Sequence, residues 1–131
     1  MEPKLDAIGV VVSDLNRAVE FFRILGVEFE EPGDSPHIEA TLPNGLRLML
    51  DTEELVKQFM PDWEKPIGQG IGLAFLCENA AAVDATYQKV LDAGFTGKKE
   101  PWDAFWGQRY AMVQDADGYS YDLFAPLEES S

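Results

Sequence analysis

The sequence predicts an α+β fold in which a strand–helix–strand–strand–strand module occurs twice along the chain. The helix of each half ends in a similar phrase, Leu-Gly-Val at 25–27 and Ala-Gly-Phe at 93–95. Each half also contains a hairpin turn that ends in glycine, Asn44-Gly45 in the first and Asp117-Gly118 in the second. Because the helix ends and the turns match in kind and order, the pattern favours an internal duplication over unrelated α+β fragments.

The first module is predicted to span about residues 4–51. Its first strand covers residues 5–12, which are apolar and rich in β-branched residues. Ser13-Asp14 supplies a helix N-cap, because a short side-chain oxygen accepts N–H groups of the first turn, and Gly26 follows the last apolar residue of the helical period. Three further strands are expected in this module, at about 27–30, 37–42 and 46–51.

The second module is predicted to span about residues 70–126. Residues 71–77 have the apolar character of a buried strand, Asn79 can cap the helix that follows, and Gly94 ends it. Further strands are expected at about 95–98, 109–114 and 119–124. A loop before the second of these carries three aromatic residues, Trp102, Phe105 and Trp106.

The linker between the modules, about 52–69, begins with a capping-box pattern at 51–54 that predicts a short helix through about Phe59. A proline two residues later ends this helix. Three large apolar residues, Phe59, Met60 and Trp63, lie where no regular element continues. They either plug the end of the core or form a lid over a cavity.

Length and composition predict one domain, residues 1–131, with 46% apolar and 11% aromatic residues to build a core. The formal net charge of −14 repels phosphate backbones and anionic lipid headgroups, so neither nucleic acid nor membrane is an expected partner. Cys77, the one cysteine, suits a reducing compartment, and the N-terminal residues lack a signal-peptide pattern. We therefore expect a cytoplasmic location.

Side-chain alternation in the first hairpin decides which residues share a face. A two-residue loop at 44–45 would mix apolar and charged residues on both faces. A three-residue loop at 43–45, with Gly45 left-handed, pairs Leu42 with Leu46 and leaves one face wholly apolar. The other face then carries the pairs Thr41 with Arg47, Glu39 with Met49, and His37 with Asp51, and the equivalent face of the second module carries Ser120 and Asp122.

Two segments carry a family resemblance: Val-Ser-Asp-Leu-x-x-Ala-Val-x-Phe-Phe-x-x-Leu-Gly at 12–26 and Asp-Ala-Asp-Gly-Tyr-Ser-Tyr-Asp-Leu-Phe at 115–124. Within βαβββ modules they resemble the vicinal oxygen chelate superfamily, which includes glyoxalase I, extradiol dioxygenases, fosfomycin-modifying enzymes and bleomycin-resistance proteins. The resemblance implies eight strands in two cupped, open-barrel sheets of mixed and antiparallel pairing, with helices outside. It also implies a homodimer that completes each cavity.

Metal-using members of this superfamily carry ligands on the first and last strands of each module. Those positions hold Ala7, Met49, Gly72 and Asp122 here. Three of the four offer no oxygen or nitrogen donor, whereas a catalytic Zn²⁺, Mn²⁺ or Fe²⁺ site needs about three protein ligands. We therefore expect no metal, no other cofactor and no catalytic residue. A metal-dependent lyase, isomerase or dioxygenase with a shifted ligand set stays open, using Glu39, Asp51 and Asp122.

Within the superfamily, the chain is most similar to antibiotic-binding resistance proteins, in particular the mitomycin-binding kind. The similarity rests on Ser-Pro-His-Ile-Glu-Ala at 35–40, Leu-Arg-Leu-Met-Leu-Asp-Thr at 46–52, Pro-Asp-Trp-Glu-Lys-Pro at 61–66 and Pro-Trp-Asp-Ala-Phe-Trp-Gly-Gln-Arg-Tyr-Ala at 101–111. It implies that the protein sequesters a flat cytotoxic ligand without altering it. A binding module for an ordinary metabolite is a further alternative.

An aromatic clamp is the chemistry expected of this site, because stacking on a ring contributes about 0.5–1.5 kcal/mol beyond its buried area. Trp106 is expected to touch the ligand, whereas Trp102 can equally be core. His37 can equally be held by Asp51 within the sheet or bind ligand. The acidic neighbours favour a planar ligand that is cationic or carries an amine. The predicted ligand-binding residues are His37, Glu39, Arg47, Met49, Asp51, Met60, Trp63, Trp102, Trp106, Asp122 and one residue of the 109–114 strand, Arg109 or, as we prefer, Tyr110.

Overall fold

The computed structural model describes residues 2–127 of the chain. It divides into two compact units, with the boundary between Lys65 and Pro66, and each unit contains one mixed sheet. The α+β class is confirmed, with seven strands and three helices in the described residues. Neither sheet closes into a barrel. Within residues 2–127, no helix combines the length and the apolar character needed to cross a bilayer.

The first unit is a three-stranded sheet with two helices. Its elements are β1 (Ala7–Val12), α1 (Leu15–Ile24), β2 (His37–Thr41), β3 (Arg47–Thr52) and α2 (Glu53–Phe59). The sheet order is β1-β3-β2, with β1 parallel and β2 antiparallel to β3. Leu48 and Leu50 of β3 are buried, as is the apolar stripe of α1 that packs on this strand.

The first hairpin has the three-residue loop that the sequence predicts. The Leu42 N–H donates to the Leu46 carbonyl at 2.7 Å, and Gly45 has a φ of +92°, a conformation that favours glycine. The resulting register pairs His37 with Asp51, as predicted. A slip of one residue would turn the buried apolar side chains of β3 to the other face, so their burial fixes the register.

The strand expected at about 27–30 is not formed, which is why the described residues contain seven strands and not eight. The alternation that suggested it is real, because Val27 and Phe29 are buried while Glu28 is exposed. Phe29 packs edge to face on Phe22 of α1, with ring centroids 6.2 Å apart. The segment therefore buries its apolar side chains as an extended connection that pairs with no strand.

The second unit repeats the pairing scheme of the first and adds one strand. Its elements are β4 (Leu73–Leu76), α3 (Ala80–Asp92), β5 (Thr96–Ala104), β6 (Gln108–Gln114) and β7 (Ser120–Pro126). In the sheet order β4-β7-β6-β5, β4 is parallel to β7 and β6 is antiparallel to β7. In the first unit, β1 and β2 have the same relation to β3. Strand β5 has no counterpart in the first unit.

The aromatic segment before β6 is a strand and not the expected loop. Strand β5 extends to Ala104, so Trp102 lies within the sheet, and only residues 105–107 form the turn to β6. Pairing with β6 shows two register shifts, one between Gly97 and Lys99 and one between Lys99 and Trp102. Proline and consecutive charged residues obscured this strand, because an irregular edge strand does not show regular alternation.

The side chains that cap α1 and α3 are those that the sequence predicts, whereas α2 is capped one residue later than the capping box at 51–54 predicts. The Asp14 carboxylate accepts the Arg17 N–H of α1 at 3.1 Å, and the Thr52 hydroxyl accepts the Leu55 N–H of α2 at 3.2 Å. Asn79 caps α3 in the same way, at 2.8 Å. Each contact satisfies one N–H group that the first turn of a helix leaves unpaired.

Helix α3 approaches the backbone of β5 very closely at Gly97. A Cβ at this position would lie 2.1 Å from the Tyr87 hydroxyl oxygen and 2.6 Å from Cζ of the same ring. Tyr87 is buried on α3, so its rigid ring has little room to move. We expect Gly97→Ala to lower the free energy of unfolding by about 1–3 kcal/mol, measured by urea denaturation.

Gly72→Ala is the matched control for this prediction. A Cβ at Gly72 meets no atom within 4 Å, so the same methyl group is added without a clash. Similar urea midpoints for the two variants would contradict the close approach of α3 to β5.

Candidate functional site

Alternation along β6 and β7 separates two faces of the second sheet. Ala111, Val113 and Leu123 are fully buried on the side that packs against α3. The opposite side, which we name the Tyr110 face, carries Gln108, Tyr110, Met112 and Gln114 of β6, Ser120, Asp122 and Phe124 of β7, and Trp102 of β5.

Cross-strand pairing arranges the Tyr110 face in rows. Trp102, Tyr110 and Phe124 are successive partners across three strands and form one aromatic row. Lys99, Met112 and Asp122 are the partners in the row beside it. Since neighbouring strands lie about 4.8 Å apart, side chains within a row contact each other.

Four rings of this face form one packed group, the aromatic cluster: Trp102, Trp106, Tyr110 and Phe124. Tyr110 is at its centre, with ring centroids 5.5 Å from Trp102, 5.4 Å from Trp106 and 6.2 Å from Phe124. The Phe124 ring lies nearly parallel to Tyr110, at 28°, whereas the two indoles meet it at steep angles. Both geometries are favourable for aromatic pairs, so the rings hold each other in place.

The turn between β5 and β6 presents large aromatic side chains to solvent. Gly107, at a φ of +90°, donates its N–H to the Ala104 carbonyl at 3.0 Å and so closes the turn. Trp106 is 49% exposed and Phe105 is 97% exposed. The Trp106 indole N–H donates to Gln108 Oε1 at 2.7 Å, which restrains the exposed ring. Exposed, restrained aromatic surface of this kind is typical of an interaction site.

Tyr110 and Asp122 form a polar pair at the centre of the face. The Tyr110 hydroxyl donates to Asp122 Oδ2 at 2.5 Å. Burial, and then the hydrogen bond and charge of Asp122, raise the pKa of Tyr110 to about 12. The phenol therefore stays protonated near neutral pH and acts as the donor.

Tyr110, and not Arg109, lies on the face opposite α3. The Arg109 guanidinium binds Asp84 of α3 through two contacts, at 2.9 and 3.1 Å, and contacts Asp103 at 3.1 Å. These carboxylates raise the pKa of Arg109, with Asp84 the largest cause. Arg109 therefore anchors the helix to the sheet, and the alternative that the sequence left open is resolved in favour of Tyr110.

The β-bulges of β5 bring Lys99 beside Trp102 although the two residues are three positions apart. Regular alternation would put them on opposite faces. Their partners on β6, Met112 and Tyr110, are only two positions apart, so β5 has one extra residue here and Lys99 lies on the same face as Trp102. The Lys99 ammonium lies 4.9 Å from the centroid of the Trp102 ring. This is the geometry of a cation–π contact.

Two polar side chains fix the position of β7 and thus of Asp122. Gln69 accepts the Ser120 N–H at 2.7 Å and donates to the Ser120 carbonyl at 2.8 Å, so its amide pairs with the backbone as a strand would. Asp115, which is buried, accepts the Tyr119 N–H at 3.0 Å and the Tyr121 hydroxyl at 3.0 Å. Burial raises the pKa of Asp115 despite these hydrogen bonds.

The polar face of the first sheet carries a chain of hydrogen-bonded ionisable groups, which we name the His37 network. His37 Nδ1 is 2.5 Å from Asp51 Oδ1, and its Nε2 is 3.0 Å from Glu39 Oε2. Arg47 donates from Nη1 to both Glu39 oxygens at 2.9 Å and from Nη2 to Asp6 Oδ2 at 2.6 Å. The Arg47 guanidinium and the His37 imidazole are thus each held between two carboxylates.

These contacts shift the titration of the network. The hydrogen bonds that Asp51 and then Glu39 accept from the imidazole raise the pKa of His37 above its ordinary value of 6.5. His37 and then Arg47 lower the pKa of Glu39. The sheet therefore provides His37 with partners of its own, and contact of His37, Glu39, Arg47 or Asp51 with a ligand stays a prediction.

The other predicted residues of the first unit lie in different settings. Met49 lies on β3 between the two charged members of that strand, opposite Glu39. Met60 is the C-cap of α2 and is 45% exposed, and the Trp63 N–H donates to its carbonyl at 2.9 Å. The Lys57 ammonium lies 6.0 Å from the Trp63 ring centroid. A lid role for Met60 and Trp63 stays a prediction.

Phe124, Lys99 and Asp6 are among the residues of these faces that the sequence analysis missed. Phe124 lies two positions after Asp122, and alternation along β7 was sufficient to place it on the same face. Lys99 was hidden by the bulges of β5, and Asp6 precedes the first residue of β1. Only the first of these had a readable signal in the sequence.

The residues at the ligand positions of metal-using relatives do not fit a catalytic metal. In the first unit, Ala7 and Met49 lie on strands paired in the sheet, and neither has an oxygen or nitrogen side-chain donor. In the second, Gly72 has no side chain, and one oxygen of Asp122 is bound by Tyr110. Across residues 2–127, no group of three or more His, Cys, Asp and Glu side chains is arranged to hold a metal ion.

Comparison with known proteins points to one family. The family model described as the Glyoxalase/Bleomycin resistance protein/Dioxygenase superfamily matches residues 4–123. An uncharacterised protein of Mycobacterium bovis is 31% identical over 134 residues, which covers 98% of this chain and 87% of that protein.

Two solved structures show the same fold. A glyoxalase/bleomycin resistance protein/dioxygenase family enzyme of Burkholderia phytofirmans PsJN superposes with a TM-score of 0.81 at 17% identity, covering 95% of this chain and 100% of that one. A glyoxalase/bleomycin resistance protein of Albidiferax ferrireducens T118 gives 0.69 at 18% identity, covering 92% and 96%.

The His37 network predicts a pH dependence that can be assigned to one residue, because the chain has a single histidine. We expect NMR titration of the imidazole to give a pKa above 6.5, which Asp51→Asn lowers more than Glu39→Gln. Because the folded-state pKa is raised, the stabilisation is complete below the unfolded pKa and is lost as the pH rises through the folded one.

Urea unfolding checks the sign of this linkage. The free energy of unfolding of the wild type relative to His37→Gln should fall as the pH rises from about 5 to about 8.5. Glu20→Gln on α1 is the control, since it removes a carboxylate that pairs with Arg17 and not with the imidazole. A histidine pKa at or below the ordinary value would contradict the network.

Proposed function

This chain belongs to the glyoxalase/bleomycin resistance protein/dioxygenase superfamily, and within it we propose a non-enzymatic protein that binds a small planar aromatic ligand. The finer form of the proposal is that the ligand is an antibiotic of the mitomycin or bleomycin kind, which the protein sequesters and thereby renders harmless. A protein that acts by sequestration needs affinity and no reactive centre, so the proposal asks only for a surface that recognises flat rings.

The observation that carries the proposal is the aromatic cluster. Trp106 is half exposed and is restrained by its hydrogen bond to Gln108 and by its contacts with Trp102 and Tyr110. A flat ligand placed against it gains contact with a ring that loses little conformational freedom on binding. A merely structural tryptophan would bury most of its surface in the core.

Polar groups beside the cluster supply direction. The Tyr110 hydroxyl uses Asp122 Oδ2, and among the described residues no side chain or backbone group donates to Asp122 Oδ1. This oxygen is an acceptor for an amine or hydroxyl of the ligand. The formal net charge of −14 favours the approach of cationic ligands at low ionic strength.

The energetic demand is modest. Micromolar affinity corresponds to about −8 kcal/mol. Burial of a few hundred Å² of apolar surface at about 25 cal/mol per Å², with stacking on two rings, is of the required size before the cost of association is counted. A ligand with one broad ring face is therefore large enough.

Trp106→Ala tests the clamp directly. In titrations of quinone and peptide antibiotics, we expect the ligand that changes the tryptophan fluorescence of the wild type to bind Trp106→Ala about three- to tenfold more weakly, measured by calorimetry. Trp106→Phe keeps an aromatic face and should retain most of the affinity.

The controls separate the proposal from its alternatives. Ile67→Ala removes a fully exposed apolar side chain outside the aromatic cluster and is expected to leave the affinity unchanged. Unchanged emission across the whole panel, or full binding by Trp106→Ala, would contradict the clamp. Stoichiometric divalent metal in protein purified without chelators would favour the metal-dependent enzyme, and binding restricted to common metabolites would favour the metabolite-binding module.

We also propose that the protein is a cytoplasmic homodimer in which a second copy covers the edge of the second sheet. β4 is an edge strand, and Leu76 on it is 69% exposed while Ile71 just before it is 78% exposed. An apolar strand edge left in water promotes pairing with another chain. The free thiol of Cys77 suits a reducing compartment.

Sedimentation equilibrium checks the dimer. Leu76→Lys places a charge on the exposed edge and is expected to convert a dimer into a monomer, whereas Ala81→Lys on the exposed side of α3 should leave the mass unchanged. A monomeric wild type at tens of micromolar would contradict this part of the proposal.

A further inference from the structure

We propose that Lys99 and Asp122 form a pair of opposite charges that selects a dipolar planar ligand, with an anionic or carbonyl group at the Trp102 end and a cationic or hydrogen-bond-donor group at the Tyr110 end. This inference rests on the proposed function and names the class of ligand that the aromatic cluster takes. Nothing in the resemblance assigns a role to Lys99.

The first step is the placement of the two charges. Lys99 and Asp122 are the ends of one cross-strand row, with Met112 between them. Two strand spacings separate their backbones, which is about 10 Å. The backbones of a cation and an anion, with an apolar residue between them, are therefore separated by about the length of a fused ring system.

The second step is the direction in which the charges lean. Both side chains reach from their own row onto the neighbouring aromatic row. The Lys99 ammonium lies 4.9 Å from the Trp102 ring centroid, and the Asp122 carboxylate accepts the Tyr110 hydroxyl at 2.5 Å. A ring that stacks beside Trp102 and Tyr110 therefore meets a cation at one end and an anion at the other.

The third step is that both groups keep binding capacity. In the described part of the chain, no carboxylate lies within ion-pair distance of the Lys99 ammonium, which contacts an indole face and solvent. An exposed cation–π contact is weak, so a ligand carboxylate or carbonyl can compete for the ammonium. Asp122 likewise keeps Oδ1 as a second acceptor.

The bulges of β5 show that this arrangement depends on an irregularity of the fold. Without the register shift between Lys99 and Trp102, regular pairing would turn the lysine to the side of α3, where Arg109 already binds Asp84 and Asp103. The second sheet thus carries Lys99 of β5 on the Tyr110 face and Arg109 of β6 on the α3 face. The cation on the Tyr110 face has no carboxylate partner in the described residues, whereas the cation on the α3 face has two.

The test uses three acridines that share one ring outline: an aminoacridine, which is a cation, an acridine carboxylate, which is an anion, and an aminoacridine carboxylate, which is a zwitterion. We expect the wild type to bind the zwitterion more tightly than either singly charged compound. Fluorescence anisotropy of the dyes measures each affinity.

Two substitutions separate the two ends. Lys99→Met should weaken the zwitterion and the anion by about two- to fivefold and leave or improve the cation. Asp122→Asn should weaken the zwitterion and the cation by a similar factor and spare the anion. Lys98→Met is the matched control, because it removes the same charge from the neighbouring residue, for which no ring contact or pairing with β6 is observed in the described chain.

The outcomes distinguish this inference from the proposed function. If Lys98→Met and Lys99→Met have equal effects, the selectivity depends only on net charge and the inference is overturned. If the binding of the dyes still depends on Trp106, the aromatic clamp of the proposed function is retained. Failure of all three acridines to bind the wild type would overturn the inference, and the antibiotic titrations then decide the proposed function separately. In the free protein, the Trp102 ring should shift the NMR signals of the Lys99 Hε protons, and Trp102→Leu should remove this shift. If the wild type shows no such shift, the contact between Lys99 and Trp102 is contradicted.

Discussion

The candidate site depends on the burial of one face of the second sheet against α3. Ala111, Val113 and Leu123 are fully buried, and the period of two along a strand then forces Tyr110, Met112 and Asp122 to the other face. The Arg109 ion pairs with Asp84 act in the same direction, because they hold the helix to the sheet from the side where the apolar residues lie. A shift of one residue in β6 would bury the Tyr110 hydroxyl under the helix and expose Ala111 and Val113. The chemistry of the Tyr110 face is thus a consequence of the packing on the opposite side.

The extent to which the sequence predicted this arrangement differed from element to element. Caps, helix ends and the first hairpin register were predictable because each rests on local chemistry: a side-chain acceptor at Asp14 or Asn79, and a left-handed glycine at position 45. The choice of Tyr110 over Arg109 was predictable in principle. Arg109 is two and four residues from Ala111 and Val113 and so shares their face, whereas Tyr110 shares the other face with Gln108 and Met112. In both modules a strong alternation of buried and exposed residues left one arrangement that keeps charges out of the core.

What the sequence did not predict depends on non-local partners. Val27 and Phe29 alternate as strand residues do, but a strand also needs a neighbour, and none of the described strands pairs with them. The full length of β5 was not predicted for the opposite reason. This strand has a partner in β6, but Pro101 and two register shifts remove the alternation that would indicate it. The same shifts bring Lys99 to Trp102. Strand alternation has a constant period of two, and a bulge interrupts it. The position of Lys99 on the Tyr110 face could therefore not be predicted from alternation.

The two sheets use their polar residues in different ways, and the contrast bears on function. In the first unit, Arg47 and His37 are each held between carboxylates, so the charges of that face satisfy one another. In the second, the Lys99 ammonium contacts only an indole face among the described residues, Asp122 is engaged through one oxygen, and Trp106 remains half exposed. Groups whose interactions are complete within the protein gain little from a ligand, because binding must first break what they already have. The face with incomplete interactions is the one on which a ligand adds contacts at the lowest cost, and on that face the groups are a set of flat rings between two charges of opposite sign.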